Sequence, residues 1–521
     1  MISQDISSKN RIISRLKRGT VIVRDYQMEH LVQLIQILES NLCYLDTSKT
    51  GLGKTYMTIA VAMYYKKKML VVGPKNSEGV WKKAIKASGA KMVDFISKDA
   101  LRSREGIQPK HGYLERYEDG RKTQFIITKK FENFVSEGGF LVIDECHHVR
   151  NMTSDQHKAV RALTNYIAWG SKSTSRFALL SATPLSKIDQ IISLMRIMGF
   201  IRSDKLFKKN KDGSIVLEGL QDLADISRSI DPVTTSKIMN NVCTYNSRVA
   251  KDIVKDLFCE VVKYKISSAV KPPKIEISVD QKNGYYYLDH SIRKKFFESL
   301  GHLEVASKYD RITDQIIDKT KSLGFKSKYN VITERRKIEM YKVPIFDRLA
   351  RKTLELDKNH KVIIGVHFLD TLDILKDSLR EYNPIILKGD ITGKDPKSGI
   401  LRRDLLVNQF QNDPEKRIII AILKVISESI SLHDTVGNKP RFKFFSPCFD
   451  LLEMHQACGR AVRDGKSTKS NVVIRFVYVR DGEIERHIYN ALARKSQILK
   501  DSLVCLDGVY LPSDFEDFEE N

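Results

Sequence analysis

The 521-residue sequence has no long apolar run, no cysteine cluster and no internal repeat. Its best hydrophobic stretch, Ile418–Ile426, is interrupted by Lys424, whereas a transmembrane helix needs about 20 predominantly apolar residues. The N-terminal residues lack the apolar core of a secretion signal. The seven cysteines are scattered without a Cys-x-x-Cys pair, which argues against a disulfide framework and a zinc ribbon. We therefore expect a soluble intracellular protein without a membrane partner.

Acidic residues are few relative to basic ones. The chain has 88 Lys and Arg against 64 Asp and Glu, a formal net charge of +24 and a pI of about 9.5. Such a field attracts polyanions, with nucleic acid the first candidate and an anionic membrane surface the second. A lysine-rich composition bias, as in AT-rich genomes, would explain the charge without any partner. The length allows two to four domains with sizeable cores.

Short apolar, strand-like runs alternate with helical patterns in both the N-terminal and the C-terminal part. This alternation predicts an α/β fold with parallel sheets covered by helices on both faces. The predicted strands are Met69–Val72, Gln124–Thr128, Phe140–Asp144, Phe177–Ser181, Lys361–Val366, Ile385–Leu387, Arg417–Ile422, Lys443–Phe445 and Asn471–Val479.

The two regions of alternation predict two α/β lobes, at residues 1–200 and 346–510. A lysine-rich segment at 201–345 lies between them, with mostly helical patterns such as 292–300 and 331–351. Its clustered basic residues favour an insertion that grips a duplex, and a helical brace between the lobes is the alternative. Residues 511–521 form an acidic tail that we expect to be disordered, with docking on a basic partner as the alternative.

The most informative segment is Ser48–Thr55, which reads Ser-Lys-Thr-Gly-Leu-Gly-Lys-Thr. It follows a strand-like run at 42–45 and precedes a helical pattern at 56–65. A strand, a glycine turn ending in Gly-Lys-Thr and a helix together predict the phosphate-binding loop of a nucleotide hydrolase. Ser48 stands where the pattern has its first glycine, so the loop is a variant, and a chance Gly-Lys-Thr is the alternative.

Each residue type in this loop suits phosphate chemistry. Gly51 and Gly53 allow the backbone N–H groups to approach a phosphate closely. Lys54 is expected to reach the β and γ phosphates, and Thr55 to offer its hydroxyl to Mg²⁺ at the N-terminus of the following helix.

Two carboxylates end the strongest predicted strand. At the carboxyl edge of a parallel sheet, Asp144 and Glu145 would face the phosphate-binding loop. Asp144 can then hold Mg²⁺, and Glu145 can polarise the attacking water. A solvated Asp-Glu turn is the alternative interpretation.

Six segments occur in the order found in superfamily 2 helicases and translocases, and the chain resembles that family from about residue 24 to 463. They are Arg24-Asp25-Tyr26-Gln27, Ser48–Thr55, Val72-Gly73-Pro74-Lys75, Asp144-Glu145-Cys146-His147, Ser181-Ala182-Thr183-Pro184-Leu185 and Gln456–Arg463. The segment Asp144-Glu145-Cys146-His147 resembles motif II of this family, a DECH box. It continues to Asn151 in a form similar to that of Swi/Snf-type motors. The resemblance implies two RecA-like lobes with ATP and Mg²⁺ between them.

The resemblance also implies a role for each matching residue. The implied ATP contacts are Tyr26, Gln27, Thr50, Gly51, Leu52, Gly53, Lys54 and Thr55, with Thr55 and Asp144 at the metal. The implied catalytic residues are Lys54, Asp144, Glu145, Gln456, Arg460 and Arg463, the last three supplied by the second lobe. The implied coupling residues are His147, Ser181 and Thr183. The implied nucleic-acid contacts are Pro74, Lys75, Thr128, Phe368 and Ser431.

Each of these roles has a plainer structural alternative. His147 is also compatible with a buried structural histidine, the two arginines with an exposed basic helix, and Lys75 with a solvated surface charge.

The fifth motif of the family, motif V, is not among these six segments and is the least similar to the family pattern. Serines at 427, 429 and 431 stand where family members commonly carry glycines, which puts the coupling of ATP state to strand grip in doubt. The segment from Ser431 to Gln456 resembles helicases of large cytoplasmic DNA viruses, including the poxvirus-type late-transcription helicase. That resemblance implies transcription or replication machinery as a partner and the host cytoplasm or the virion as the location.

Together these features predict an ATP-dependent nucleic-acid motor that favours DNA. The Swi/Snf-like details, including those around Trp81-Lys82-Lys83, tilt the choice toward duplex DNA, with an ATP-dependent RNA helicase as the nearest alternative. The motor subunit of a nuclease complex and a non-hydrolysing DNA-binding platform are the other two.

Overall fold

The computed structural model describes residues 23–517 except 121, 171–173, 186–188, 243, 272–276, 308–330, 390, 392, 394, 397–401, 428–429, 431, 449, 461–467, 481–482 and 503–514. By its internal contacts the chain divides into two compact units, residues 1–272 with 498–507 and residues 273–497 with 508–521. The domain boundaries drawn from the sequence stay a prediction.

The first unit contains a parallel sheet, two small hairpins and a set of helices. Its strands are β1 (Cys43–Asp46), β2 (Met69–Gly73), β3 (Met92–Ser97), β4 (Leu114–Asp119), β5 (Lys122–Ile127), β6 (Phe140–Asp144), β7 (Arg176–Leu180), β8 (Phe207–Lys209), β9 (Ile215–Leu217) and β10 (Ser267–Ser268). Its α-helices are Asp25–Ser40, Lys54–Tyr64, Glu78–Ser88, Lys98–Arg102, Lys129–Ser136, Asp155–Asn165, Gln190–Ile197, Gly219–Ile230, Pro232–Asn240, Ser247–Leu257 and Lys263–Ile266.

Over the described residues the main sheet of this unit has six parallel strands in the order β10-β1-β7-β6-β2-β3. The central strand β7 places its two neighbours in register, because Asp46 at the end of β1 and Asp144 at the end of β6 both lie opposite Leu180. With about 4.8 Å between neighbouring strands, the two strand ends lie roughly 10 Å apart at one edge of the sheet.

The strands β1, β2 and β6 are buried along their whole length, as expected for a parallel sheet covered on both faces. They pack against the helices Asp25–Ser40, Lys54–Tyr64 and Glu78–Ser88 in one hydrophobic core. This core fixes the sheet edge from which the phosphate-binding loop and the carboxylates emerge.

The second unit is built around another parallel sheet. Its strands are β11 (Val279–Tyr286), β12 (Lys361–Val366), β13 (Ile385–Leu387), β14 (Ile418–Ile422), β15 (Arg441–Phe445), β16 (Val472–Val479) and β17 (Phe515–Asp517). Its α-helices are His290–Ser307, Val331–Tyr341, Val343–Leu356, Leu369–Ser378, Arg402–Asn412, Leu423–Ser427, Leu451–Gly459 and Glu483–Ser502. Over the described residues the strand order is β13-β14-β12-β15-β16-β11-β17, and every neighbouring pair is parallel.

The predicted α/β class with two parallel sheets is confirmed, and most predicted strands are present within two residues of their expected bounds. One strand prediction is wrong in its context. The run at 124–128 belongs to β5, but β5 pairs antiparallel with β4 in a separate hairpin rather than joining the parallel sheet.

Three further expectations differ from the structure. The segment at 201–345 also supplies strands, including β10 to the first sheet and β11 to the second. The helical pattern at 331–351 is two helices, because Pro344 lies in the first turn of the second helix and cannot continue the first. The tail is ordered at Phe515–Asp517, where β17 pairs with β11, so the expectation of disorder is wrong for these residues.

The tail strand is held by ring contacts and an ion pair. The Phe515 ring stacks on Tyr285 with 4.5 Å between ring centroids, and it makes edge contacts with Tyr478 and Tyr489. Lys282 pairs with Glu516. Among the described residues no helix is both long and apolar enough to cross a bilayer.

Candidate active site

The phosphate-binding loop joins β1 to the helix Lys54–Tyr64. Gly51 and Gly53 both have φ of 90°, a left-handed conformation that favours glycine. The Lys54 ammonium donates to the backbone carbonyl of Ser48 at 2.7 Å. The loop therefore curls around the ammonium, with the N-terminus of the helix directly behind it.

Ser48, the variant position, ties this loop to the rest of the unit. Its hydroxyl accepts a hydrogen bond from the backbone N–H of Val270 at 2.9 Å, and its own N–H donates to Asp46 Oδ1 at 2.9 Å. His30 lies between them, with Nε2 3.4 Å from both Ser48 Oγ and Asp46 Oδ1. Ser48 is fully buried and its φ is negative. The serine therefore anchors the loop where a glycine could not.

Burial by itself would raise the pKa of the Asp46 carboxyl, but the charges of His30 and Lys54 and the hydrogen bonds from His30 and Ser48 hold this pKa below its usual value. Asp46 is thus an ionised carboxylate at the base of the loop. The positive charge of Lys54 stabilises this carboxylate.

Gln27 contacts the loop from the helix Asp25–Ser40. Its amide Nε2 donates to the carbonyl of Leu52 at 2.6 Å, and its Oε1 accepts from the N–H of Arg24 at 3.0 Å. A Cβ added at Gly53 would lie 2.3 Å from Gln27 Nε2, so a larger residue would displace this side chain in addition to straining the backbone at φ of 90°. The structure thus places Gln27 against the phosphate-binding loop, and its adjacent Tyr26 is partly buried against the same core.

Asp144 lies at the carboxyl end of β6, held by a buried tryptophan. The Trp81 indole Nε1 donates to Asp144 Oδ2 at 2.9 Å, and Trp81 is fully buried. Burial and the adjacent charge of Glu145 raise the pKa of the Asp144 carboxyl, whereas the hydrogen bond from Trp81 opposes that rise. A cation beside this oxygen would favour the charged carboxylate.

Glu145 has a strained backbone. Its φ of 49° and ψ of 56° lie in the left-handed region, which is uncommon for a residue with a side chain and is found most often at functional sites. Lys98 donates from Nζ to the Glu145 carbonyl at 2.9 Å. Burial would raise the pKa of the Glu145 carboxyl, but His147, Lys54 and Lys98 outweigh that effect and lower it.

His147 links the carboxylates to the next strand. Its Nδ1 lies 3.0 Å from Ser181 Oγ and 3.2 Å from Glu145 Oε2. Ser181 Oγ also accepts from the N–H of Thr183 at 3.1 Å. The predicted coupling residues are therefore one continuous polar path from Glu145 to the segment that follows β7.

The residues of the first unit fit a phosphate group with a divalent cation. In the described part of the chain, Thr183 Oγ1 is buried without a hydrogen-bond partner, and Glu145 Oε2 is buried beside His147 Nδ1, so donor and acceptor capacity remains at this sheet edge.

The sixth motif lies in the second unit. Gln456 and Arg460 are both buried. Arg460 donates from Nε to the carbonyl of Ser427 at 3.0 Å and from Nη2 to the same oxygen, and its own carbonyl accepts from the N–H of Leu432 at 2.8 Å. Arg460 therefore joins the sixth motif to the fifth within this unit. Arg463 and Ser431 lie outside the described residues.

The predicted nucleic-acid contacts lie at strand ends, with different degrees of exposure. Pro74 is half-buried and Lys75 is exposed after β2. The Thr128 hydroxyl donates to the carbonyl of Gly112 at 2.6 Å. The backbone N–H of Phe368, after β12, donates to Glu339 Oε1 at 3.0 Å. Lys75 is the one charged residue of these four, and it is exposed.

Two residues at the site were not assigned a role from the sequence. Trp81 was noted only as part of a Swi/Snf-like segment, and no spacing rule connects its indole with Asp144, 63 residues later. Lys98 stands 47 residues before Glu145 and looks like any surface lysine at the start of a helix.

One family model and several known proteins are similar to this chain. The family described as type III restriction enzyme, res subunit, matches residues 20–186. A protein of Acanthamoeba polyphaga mimivirus, named as a provisional ATP-dependent RNA helicase, is 24% identical over 517 residues that cover 94% of this chain and 87% of that protein.

Mouse chromodomain-helicase-DNA-binding protein 1-like is 23% identical over 94% of this chain and 51% of its own length. The human SWI/SNF-related matrix-associated actin-dependent regulator of chromatin subfamily A member 1 is 29% identical over 35% of this chain and 17% of its own length. This chain therefore spans about half of the first of these proteins and a small part of the second.

Two solved structures are also similar. The Sulfolobus solfataricus SWI2/SNF2 ATPase core in complex with dsDNA is 17% identical, with 93% of both chains covered and a TM-score of 0.30. The Pyrococcus furiosus Hef helicase domain is 13% identical, with 90% of this chain and 98% of that chain covered and a TM-score of 0.43.

The ordered motifs, the family model that matches residues 20–186 and the viral relative make the chain similar to one class of protein, the superfamily 2 helicases. Within this class it resembles the helicases of large DNA viruses.

Proposed function

We propose that this chain binds ATP and Mg²⁺ at the carboxyl edge of the first sheet and uses their hydrolysis to move along nucleic acid. The observation that carries the proposal is the register of β1, β7 and β6. It brings the phosphate-binding loop and the Asp144-Glu145 pair to the same level of one sheet edge. In open parallel sheets, ligands bind at this edge.

The residues have distinct proposed tasks. Lys54 and the loop N–H groups hold the phosphates, while Thr55 and Asp144 hold the metal, which supplies charge stabilisation when bound. Glu145 orients and polarises the attacking water, and its lowered pKa keeps the carboxylate ionised. The polar contacts through His147, Ser181 and Thr183 would transmit a structural change at the phosphate to the segment that follows β7.

The second unit has a proposed share in hydrolysis. Arg460 and Arg463 are proposed to neutralise charge on the transferred phosphoryl group. The hydrogen bonds from Arg460 to Ser427 support a further task for this arginine, the linkage of the sixth motif to the fifth.

The loop and the carboxylates are tested by paired substitutions. We expect Lys54→Ala and Glu145→Gln to abolish ATP turnover while leaving nucleic-acid affinity close to that of the wild type, because neither residue is a proposed nucleic-acid contact. Lys68→Ala is the matched control, since Lys68 is an exposed lysine at the opposite edge of the same sheet. Unchanged turnover in either active-site variant would contradict the proposal.

Duplex DNA is the favoured track, since the chain has a net charge of +24 and two chromatin-type relatives. RNA is the second candidate, because the mimivirus relative, whose name describes it as an RNA helicase, covers 94% of this chain. An unwinding assay with DNA and RNA duplexes of matched sequence separates the two. A salt titration of DNA affinity with and without a non-hydrolysable ATP analogue separates a motor from a passive platform, since only a motor should change its number of phosphate contacts with nucleotide state.

A further inference from the structure

Lys98 is a buried lysine that the motifs do not explain. It is 5% exposed, and lysine is almost never buried to this degree unless its charge is paired. Its Nζ donates to the backbone carbonyl of Glu145, the residue after Asp144. The residue is therefore part of the same cluster of charged residues as the two carboxylates.

The topology explains how Lys98 reaches this cluster. It follows Ser97, the last residue of β3, whereas Glu145 follows the last residue of β6, and β2 separates these two strands. Two strand spacings are about 10 Å, so the lysine must extend across the end of β2. Ser97 is also the N-cap of the helix Lys98–Arg102, with its hydroxyl accepting from the N–H of Ala100 at 3.2 Å. This cap fixes the first residue of the helix and hence the start of the lysine side chain.

Gly73, the last residue of β2, leaves little space between the end of this strand and Asp144. A Cβ at this position would lie 3.1 Å from Asp144 Cβ and 3.4 Å from Asp144 Oδ2. The strand ends therefore pack closely around Asp144, and the side chain of the residue that follows β3 can reach the residue that follows β6.

The atom that Lys98 contacts is informative. Its Nζ donates to the backbone carbonyl of Glu145 at 2.9 Å, and Glu145 is the residue with left-handed φ and ψ. Such a conformation persists only when surrounding contacts hold it. A charge-assisted hydrogen bond to the carbonyl is a contact of that kind.

We propose that Lys98 is a positioning residue for ATP hydrolysis, which holds the strained backbone of Glu145 so that its carboxylate points at the water to be activated. This inference rests on the proposed function of Glu145. It assigns Lys98 to orientation of the catalytic group and leaves the binding of ATP to the phosphate-binding loop.

Three variants of the full chain test the inference. Lys98→Met keeps the length of the side chain but removes the charge and the donor, and Lys98→Arg keeps both. Lys68→Met is the control, since Lys68 is exposed and lies at the amino end of β2. Steady-state ATPase, binding of a fluorescent ATP analogue and melting temperature are measured for each.

We expect kcat of Lys98→Met to fall about 10- to 100-fold, the usual effect of removing a group that orients a catalytic ligand. The affinity for the ATP analogue should stay within about twofold of the wild type, because the residues of the phosphate-binding loop are unchanged. Lys98→Arg should recover a substantial part of kcat, and Lys68→Met should be indistinguishable from the wild type.

Two results would overturn the inference. One is a kcat of Lys98→Met within twofold of the wild type. The other is a parallel loss of nucleotide affinity, melting temperature and kcat that Lys98→Arg does not relieve, since this marks a purely structural lysine. Either result leaves the proposed function standing as long as Lys54→Ala is inactive. An active Lys54→Ala would instead contradict the proposed function itself.

Discussion

The hydrogen bond between Trp81 and Asp144 gives a quantitative prediction. Trp81→Phe removes the indole N–H that donates to Asp144 Oδ2 at 2.9 Å and leaves most of the ring packing in place. A hydrogen bond to a charged group contributes about 1.5–3 kcal/mol to stability, against about 0.5–1.5 kcal/mol for a neutral pair. Because both partners are buried, water cannot replace the lost donor.

The chain supplies a matched control in its second tryptophan. The Trp169 indole Nε1 donates to the neutral carbonyl of Gly199 at 2.7 Å, and Trp169 is 44% exposed. Trp169→Phe should therefore cost only about 0.5–1.5 kcal/mol. It also leaves Trp81 as the one tryptophan of the chain, so that its fluorescence reports directly on the surroundings of Asp144.

The loss from Trp81→Phe should depend on pH. The pKa of Asp144 is raised in the folded protein, so the stability that this group contributes is present below its unfolded pKa and is lost as the pH rises through its folded pKa. Trp81 stabilises the ionised form, so its removal raises this pKa further. The stability difference between wild type and Trp81→Phe should thus be largest at neutral pH and shrink as the pH falls toward the pKa of Asp144.

Native-state hydrogen exchange of the full chain measures this locally. For the peptide that contains Phe140–Asp144, the expected loss of protection is about 10- to 150-fold at neutral pH, which is 1.5–3 kcal/mol converted at 1.4 kcal/mol per tenfold. Equal losses from Trp81→Phe and Trp169→Phe, or a loss from Trp81→Phe that does not change with pH, would refute the reasoning.

Three further predictions concern the second unit. Arg460→Gln should lower the stability of this unit by about 1.5–3 kcal/mol, because it removes two charge-assisted hydrogen bonds to Ser427. It should also lower the ATPase rate. Denaturant unfolding that matches the wild type would count against the link between Arg460 and Ser427. Phe515→Ala should release β17 and speed hydrogen exchange in β11, whereas Leu356→Ala, at an exposed apolar residue of the same unit, serves as the control; equal exchange in the two variants would argue against the tail strand. Burial and the charges of Lys439 and Arg441 lower the pKa of Lys361 to about 7, so the unfolded chain binds more protons above that pH and folding stability rises with pH. Lys361→Met should lack this part of the rise between pH 7 and 10 in urea titrations, and identical pH dependence in both proteins would disprove it.

The sequence predicted the strands with strong apolar runs. β6 and β12 have the expected bounds, because a buried parallel strand is a continuous run of hydrophobic residues. β11 was missed because its sequence, Val-Asp-Gln-Lys-Asn-Gly-Tyr-Tyr, has few residues that favour strands. Its place in the sheet comes from pairing with β16 and β17, which no local pattern reveals.

The candidate site shows the same difference between features with a local sequence pattern and features that depend on contacts distant in sequence. The loop, the carboxylates and the path through His147 and Ser181 could be predicted because each lies in a short motif with fixed spacing. The tasks of Trp81, Lys98 and Ser48 could not, since each depends on a contact with a residue that is distant in sequence. Ser48 in particular departs from the motif, and only the position of Val270 explains the hydroxyl.

The central claim is that ATP hydrolysis at the first unit serves movement on nucleic acid. The most direct test is the steady-state ATPase rate of the full chain alone and with duplex DNA, single-stranded DNA or RNA, measured beside Glu145→Gln. We predict a rise in turnover with at least one nucleic acid for the wild type and no turnover for Glu145→Gln. A rate that none of the three nucleic acids raises above that of the chain alone, or one that persists in Glu145→Gln, would contradict the claim.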